Sequence, residues 1–415
     1  MAVSEKTIDR LVNRLNTYTQ NANDYFIKKM GEAISQIREL SPSDAHKLVQ
    51  MLKYGGSYQD LVRELSNISG IPKKEIEEIF YNYAKIDQNF YEKFYKYRNI
   101  KYVPFDQNLA LKRQTRALAE ITAGEFKNFT RSRALGYTFK DKKGNVRFHG
   151  LRETYERLLD EAVLNVGQGK ESFNASMDRI LKEIGGSGLR TLDYDSGRSY
   201  RLDSMVDMHL RSALNNLHNE NQKIIAEEIG ADGVEISVHE MPAPDHEEVQ
   251  GRQFSNKEYD KLQAGSVATT YQGQSIQITH SKNGSFRPIS EYNCFHYTFA
   301  IVLGVSKPQY NDQQLQDIID TNNKGFELDG KHYTNYQGSQ LQRTLERKIR
   351  EQQDIQMLAQ ESGNESLAIE SQRKVNQLLG KYKELSVKSG IPMNTSRLST
   401  TGYRPLAKKK LKWYN

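Results

Sequence analysis

A single cysteine, Cys294, stands in the whole chain. No internal disulfide is possible, so nothing in the fold depends on an oxidising compartment. Long apolar runs are missing too: none approaches the roughly 18 residues that a membrane-spanning helix needs. The first residues, Met1-Ala-Val-Ser-Glu-Lys, lack the apolar core of a secretory signal. These gaps point to a soluble protein of cytosolic origin. Proline is scarce as well, with only Pro42, Pro72 and Pro104 before Pro242, so the first part of the chain can hold long helices. Hydrophobic residues are 37% and charged residues 27%, and the mean hydropathy is -0.76. The 415 residues leave room for two or three domains. Such polarity suits an extended, helix-rich protein with much solvated or partner-covered surface better than one compact enzyme.

Neither charge sign dominates: 59 basic against 52 acidic side chains give +7. The exception is the end of the chain. Arg397, Arg404, Lys408, Lys409, Lys410 and Lys412 meet no acidic residue after Glu384. This basic tail is either a solvated, mobile terminus or a contact for DNA or another acidic partner, with Trp413 and Tyr414 available to stack.

The periodicities predict an α+β protein, mostly helical, in four stretches. Residues 1–135 form a helical N-terminal region. Helix starts lie at Ser41-Pro42-Ser43-Asp44 and Pro72-Lys-Lys-Glu75, and Ile76, Ile79, Phe80 and Tyr83 make one apolar face. Ser57 to Tyr83 has the outline of a helix-turn-helix, but Glu75, Glu77 and Glu78 argue against docking on phosphates. Residues 136–305 form a small mixed α/β core. Tyr137 to Phe148 and Leu189 to Leu202 are predicted hairpins, the second turning at Asp195-Ser-Gly197. Helices are predicted over 151–166 and over 173–184, the latter ended by Gly185-Gly186. A long helix over 203–230 leads to a strand at Val234–Val238, and Ser255-Asn-Lys-Glu258 caps a short helix. Residues 306–390 form an antiparallel helical hairpin broken at Glu361-Ser-Gly363-Asn364, and 391–415 the basic tail.

The chemistry concentrates between His239 and His296. His239, His246, Cys294 and His296 could make a tetrahedral Cys/His3 metal site, because imidazole nitrogen and thiolate are zinc's preferred ligands. Their spacing is not a standard zinc motif, and Ala243 in place of a second histidine rules out a His-Glu-x-x-His protease helix. Three readings stay open. The residues pack as buried, hydrogen-bonded histidines with a small apolar cysteine; or a structural zinc ties residues 239–254 to 293–304; or the site is catalytic, through Cys294 or a metal-bound water. Arg211 is expected to make a buried ion pair, with Asp245 or Glu240. Gly251 and Gly273 are expected in turns of positive φ, and Asn293 to cap backbone groups near Cys294. His209 and His218 lie about 180° apart on one helix and cannot share a ligand.

In order along the chain come Arg211-Ser212-Ala213-Leu214-Asn215, the strand to His239, Asp245-His246, Gln250-Gly251-Arg252-Gln253-Phe254-Ser255, Asn293-Cys294 with His296, and Gly304. Tyr333-Thr334 through Gln342 to Arg350 follows. This ordered set, over roughly 205–355, resembles the phage minor capsid protein 2 family, related to the Mu F-like head morphogenesis proteins. Where that family commonly has Asn-Cys-Arg-His, this chain has Phe295 in place of the arginine. The resemblance implies a non-enzymatic minor component of the virion head, present in few copies. It implies association with the portal protein, the capsid interior and packaged DNA, and a part in head assembly or DNA delivery, with the host cytoplasm as the place of assembly. The alternatives are a metal-dependent hydrolase or cysteine-based enzyme carried in the head, and a free nucleic-acid-binding protein.

Overall fold

The computed structural model describes residues 5–38, 57–97, 99–131, 134–141, 143–154, 156–157, 173–193, 197–272, 274–278, 285–290, 294–398 and 400–407. The helix start at Ser41 lies outside them, as do most of the helix expected over 151–166, Gly273, Asn293 and Lys408 to Tyr414.

The first third is helical, as α1 (Glu5–Arg38), α2 (Ser57–Ser69), α3 (Lys73–Phe90), α4 (Glu92–Tyr97) and α5 (Leu109–Phe129). Pro72 stands at the N-cap of α3, and the Asn108 side chain accepts the Leu111 N–H at the start of α5. Then β1 (Leu135–Lys140) and β2 (Val146–Gly150) form a hairpin. Its turn is held by Asp141, whose carboxylate accepts the N–H groups of Lys143 and Asn145 at 2.9 Å each. With β3 (Arg190–Leu192) and β4 (Ser199–Arg201) they make an antiparallel sheet of order β2-β1-β3-β4.

Between β2 and β3 lies α6 (Phe173–Ser187), which does not end at Gly185-Gly186 but runs through both. A Cβ on Gly185 would stand 2.6 Å from the backbone nitrogen of Ile355, whereas one on Gly186 would meet nothing within 4 Å. Gly185 is therefore a close-approach residue. The chain leaves the helix at Gly188, φ +62°.

The long α7 (Leu202–Ile229) ends on a left-handed Gly230 and is the central beam. Its Val206, Leu210, Leu214 and Leu217 pack with Ile8, Val12 and Leu15 of α1 and with Ile79, Phe80 and Tyr83 of α3. The second half of α1 enters a different core: Phe26, Ile27 and Met30 meet β1, α6 and the residues Ile355 and Leu358. Hydrophobic packing therefore crosses the sequence boundaries near 135 and 305.

After α7 comes a three-stranded antiparallel sheet of order β6-β5-β9, built from β5 (Gly233–Ile236), β6 (Gln253–Ser255) and β9 (Thr298–Ile301). The one-turn α8 (Pro244–Glu247), α9 (Asn256–Gln263) and the hairpin β7 (Ala268–Tyr271)–β8 (Gln274–Gln277) decorate it. Helix α10 (Asp312–Lys324) and the hairpin β10 (Phe326–Leu328)–β11 (Lys331–Tyr333) lead to α11 (Asn335–Glu361) and α12 (Glu365–Ser389), the antiparallel pair. Capping boxes start α10 at Asn311 and α11 at Thr334. No helix among the described residues is long and apolar enough to cross a membrane. The protein is thus mostly helical, with small antiparallel sheets.

The chain beyond α12 is not a free tail over its first part. The Ile391 carbonyl accepts from Gln342 at 3.0 Å, and Thr400 and Thr401 donate to Gln353 and Gln20 at 2.6 and 2.9 Å. Residues 391–407 thus fold back over α11 and reach α1.

Candidate metal centre

The pairing of β5 with β9 sets the site. Val234 faces Ala300 and Ile236 faces Thr298, and the ladder continues as Ser237 N–H donates to the Tyr297 carbonyl at 2.8 Å. This register lays His296 and Cys294, just before β9, beside the chain that leaves β5. That chain makes a loop and returns to its own start: Gly251 N–H donates to the Ile236 carbonyl at 2.8 Å, and Ile236 N–H to Arg252 at 3.1 Å. Gly251 has φ +70°, and a Cβ there would stand 2.3 Å from Leu315. Only glycine meets both demands. Inside the loop α8 opens on Pro244 and turns His246 inward.

Three donor atoms converge. His246 Nδ1 and His296 Nδ1 are 3.3 Å apart, and each lies 3.6 Å from Cys294 Sγ. Tetrahedral zinc, with Zn–N of about 2.0–2.1 Å and Zn–S of about 2.3 Å, would hold two nitrogens about 3.3–3.4 Å apart and a nitrogen and a sulfur about 3.5–3.6 Å apart. The three observed separations fit one face of such a tetrahedron. All three residues are buried.

The outward ring nitrogens fix the tautomers. His246 Nε2 faces the Arg287 carbonyl at 2.8 Å, and His296 Nε2 faces Gln250 Oε1 at 3.1 Å. Both partners are acceptors, so each Nε2 carries the proton and each Nδ1 presents a lone pair. Gln250 Oε1 also accepts the His239 N–H at 2.9 Å, which holds its amide oxygen toward His296. Two inward lone pairs at this distance repel unless something positive lies between them. A single thiol proton can satisfy one of them and not the other. Outer hydrogen bonds of this kind are what orient histidines that bind metal.

Burial acts in the same direction. It pushes His246 below its ordinary value, with Arg287 adding and Asp245 opposing. It pushes His296 well below, reinforced by His246, His239 and Arg287. Burial also raises the Cys294 thiol. The imidazoles are thus kept neutral, the form that ligates, while the thiol would need a cation to become thiolate.

Other sequence expectations resolve differently. His239 is not in the ligand group: its Nδ1 accepts the Met241 N–H at 3.0 Å, and its ring centroid stands 6.1 Å from that of His296. The expected Cys/His3 set is therefore Cys/His2 among the described residues. Arg211 pairs with neither Asp245 nor Glu240. It pairs with Asp207, one turn back on α7, at 2.7 Å and with Asp9 on α1. Asp245 instead takes a two-pronged contact from Arg287 at 3.2 Å, a partner of right charge on the nearer segment. Phe254 is buried in β6 among Ile236, Val249 and Leu262, and Gly304 occupies a turn at φ +73°. Of the basic tail, Arg397 stands 3.9 Å from Glu346 and Arg404 is exposed; the lysines lie outside the described residues. The ring of Phe295 lies within 5.4 Å of the Arg211 guanidinium and 5.3 Å of Arg343, so cations from two helices reach its faces.

Sequence reading missed a second buried histidine site. His218 Nδ1 meets Asp87 at 2.9 Å and Nε2 meets the Thr298 carbonyl at 2.6 Å. The signal was there in part: an apolar helix face carrying both His218 and Asn221 needs polar partners, and Asp87 sits on the apolar face of α3.

The family model for phage minor capsid protein 2 matches residues 3–385. The match therefore takes in the N-terminal helices as well as the stretch from Arg211 to Gly304. No curated protein and no solved structure matches the chain.

Proposed function

The chain belongs to the phage minor capsid protein 2 family and is a structural protein of the phage head, and from that premise we propose that it is a minor head component that contacts the portal and the capsid interior. Its part is in head assembly or DNA delivery, and its central α/β module is pinned by zinc at His246, Cys294 and His296. The observation that carries the metal is the triangle of donor atoms, with both histidine tautomers set from outside. A zinc there would join chain segments 48 residues apart, supplying folding energy to a module whose own apolar cluster is small. The role of the described residues is to hold: Gln250 orients His296, Arg287 orients His246, and Gly251 lets the loop close.

The portal reading is tested on particles. Purified virions should contain the protein at a few copies per head, and it should bind isolated portal protein. Its absence from purified heads would remove the proposal.

A second reading has one observation behind it. Three protein ligands leave one tetrahedral corner, where zinc could carry a water, as catalytic zinc sites do. Near-complete burial of His246, Cys294 and His296, at 1, 6 and 3% exposed, favours the structural role. Cys294→Ser and His246→Ala separate the two: a hydrolase loses turnover in both while its melting curve stays intact.

A further inference from the structure

A cavity of about 270 Å³ opens where the first half of α1, the start of α7 and the middle of α11 meet, with Cys294 and Phe295 in its wall. Its lining is dominated by charge, and the charges do not all pair. Arg211 takes two of the carboxylates, Asp207 and Asp9. Arg350 takes Asp203. Arg397 stands 3.9 Å from Glu346, whose other oxygen accepts from Tyr382 at 2.6 Å. Every carboxylate of the lining is then engaged, and two guanidiniums remain.

These two, Arg343 and Arg347, are one turn apart on α11. Arg347 donates to Thr344 Oγ1 at 3.1 Å and makes no ion pair among the described residues. Arg343 has neither a hydrogen bond nor an ion pair there; its guanidinium lies over the Phe295 ring, 5.3 Å from the centroid. Like charges at this helical spacing repel, and burial with Arg397 and Arg211 nearby holds Arg343 below its ordinary value against the opposing pull of Asp207 and Glu346, whose direct ion pairs go to other arginines. A half-buried cation so placed is an anion site waiting for its counter-charge.

A second observation comes from other residues of the lining. Asn215 is 2% exposed. Its Nδ2 donates to the Cys294 carbonyl at 3.3 Å, while its Oδ1 has no partner. The buried Oδ1 of Asn16, also in the lining, has none either. The cavity thus offers surplus N–H donors on α11 and surplus acceptors on α1 and α7. A carboxylate satisfies one guanidinium fork and donates nothing. A hydrogen phosphate or a phosphate monoester has oxygens for two forks, and its own hydroxyl, or that of an attached sugar, can donate. The space is too confined for a duplex groove about 12 Å wide.

We propose that this cavity binds a phosphoryl group, as free phosphate or as a small phosphate monoester, between Arg343 and Arg347 with the Asn215 and Asn16 oxygens also in the lining. Bound there, it ties the start of α1 to α7 and α11, three elements far apart in the chain. The site shares Cys294 in its wall with the zinc centre, but its phosphate contacts do not rest on the zinc.

The test is thermal melting and titration calorimetry of the full-length protein at constant ionic strength. The probes are inorganic phosphate, adenosine 5′-monophosphate and sodium chloride. Phosphate or the monophosphate should raise the Tm where chloride does not, as mass action requires of a ligand specific to the folded state. Loss of one charged hydrogen-bond donor should weaken binding about tenfold or more, in Arg343→Gln and in Arg347→Gln. Both variants should melt no lower than the parent without phosphate, since each relieves repulsion. Arg347 is exposed, so R347Q carries the test should R343Q fold poorly. Tighter binding of the monophosphate than of phosphate would assign a monoester, and equal binding free phosphate. An equal Tm shift from chloride, or parental phosphate affinity in R347Q, would overturn the proposal.

Discussion

Two histidines in this protein meet opposite fates from the same burial. At His296 the neighbours are a lone pair, a thiol and other bases, and the ring is held neutral. At His218 burial also pushes downward, but the Asp87 carboxylate and the Thr298 carbonyl outweigh it and raise the ring above its ordinary value. Only an imidazolium can donate from both nitrogens, as those two acceptors demand. The linkage follows: a pKa raised in the folded state gives stability that is fully present below the unfolded value of about 6.5 and is lost as pH climbs through the folded value. Urea unfolding should therefore show stability falling as pH rises above neutrality, and His218→Ala should lose that slope. Removing one member of such a buried pair should also cost about 3–5 kcal/mol at pH 6. An unchanged pH slope in the variant would count against a charged His218.

At the scale of elements, α6 and α11 approach closely because Gly185 has no side chain. Gly185→Ala should destabilise by about 1–3 kcal/mol through overpacking against Ile355. Gly186→Ala, next to it and facing open space, should stabilise by about 0.5–1 kcal/mol, because alanine is the better helix former. Chemical denaturation of the pair checks both, and effects of the same sign would contradict the packing. The element boundaries that sequence revealed were those with local causes. The Asp141 turn, the Ser255 cap, the left-handed Gly230 and the break at Glu361 to Asn364 are all written in neighbouring residues. Gly185-Gly186 misled because a glycine's local meaning, helix end, was overridden by a contact with Ile355, 170 positions away in sequence.

The same division holds for the site. His246, Cys294 and His296 were legible by residue type. That His239 would stand aside was not, since its Nδ1 is taken by the Met241 N–H within a turn that periodicity does not reveal. Arg211 announced an ion pair, and its partner Asp207 lies one turn back on the same helix, but its second partner Asp9 is 202 residues distant, and no local pattern reveals that one.

At the scale of the molecule, the first helix and α11 are joined. Asn23 of α1 donates to Asp354 of α11 at 3.1 Å, and Arg201 reaches the other oxygen of the same carboxylate at 3.1 Å. Burial pushes Asp354 up to about 6 in spite of Arg201. Residues 391–407 close over it. Deleting 408–415 should remove whatever salt-sensitive DNA binding their lysines supply. Deleting 391–415 should lower the melting temperature, because it strips Tyr403 and the Thr400 and Thr401 hydrogen bonds from the core. Equal melting of the two truncated forms would refute the packed reading of 391–407.

A buried zinc is proposed to pin the α/β module of this head protein, and the metal content of the purified full-length chain is the decisive measurement. One zinc per chain is expected, with a lower melting temperature after chelation and loss of both the metal and the chelator effect in Cys294→Ser and His296→Ala. A metal-free protein that zinc does not stabilise, with chelator leaving its melting curve in place, would contradict it.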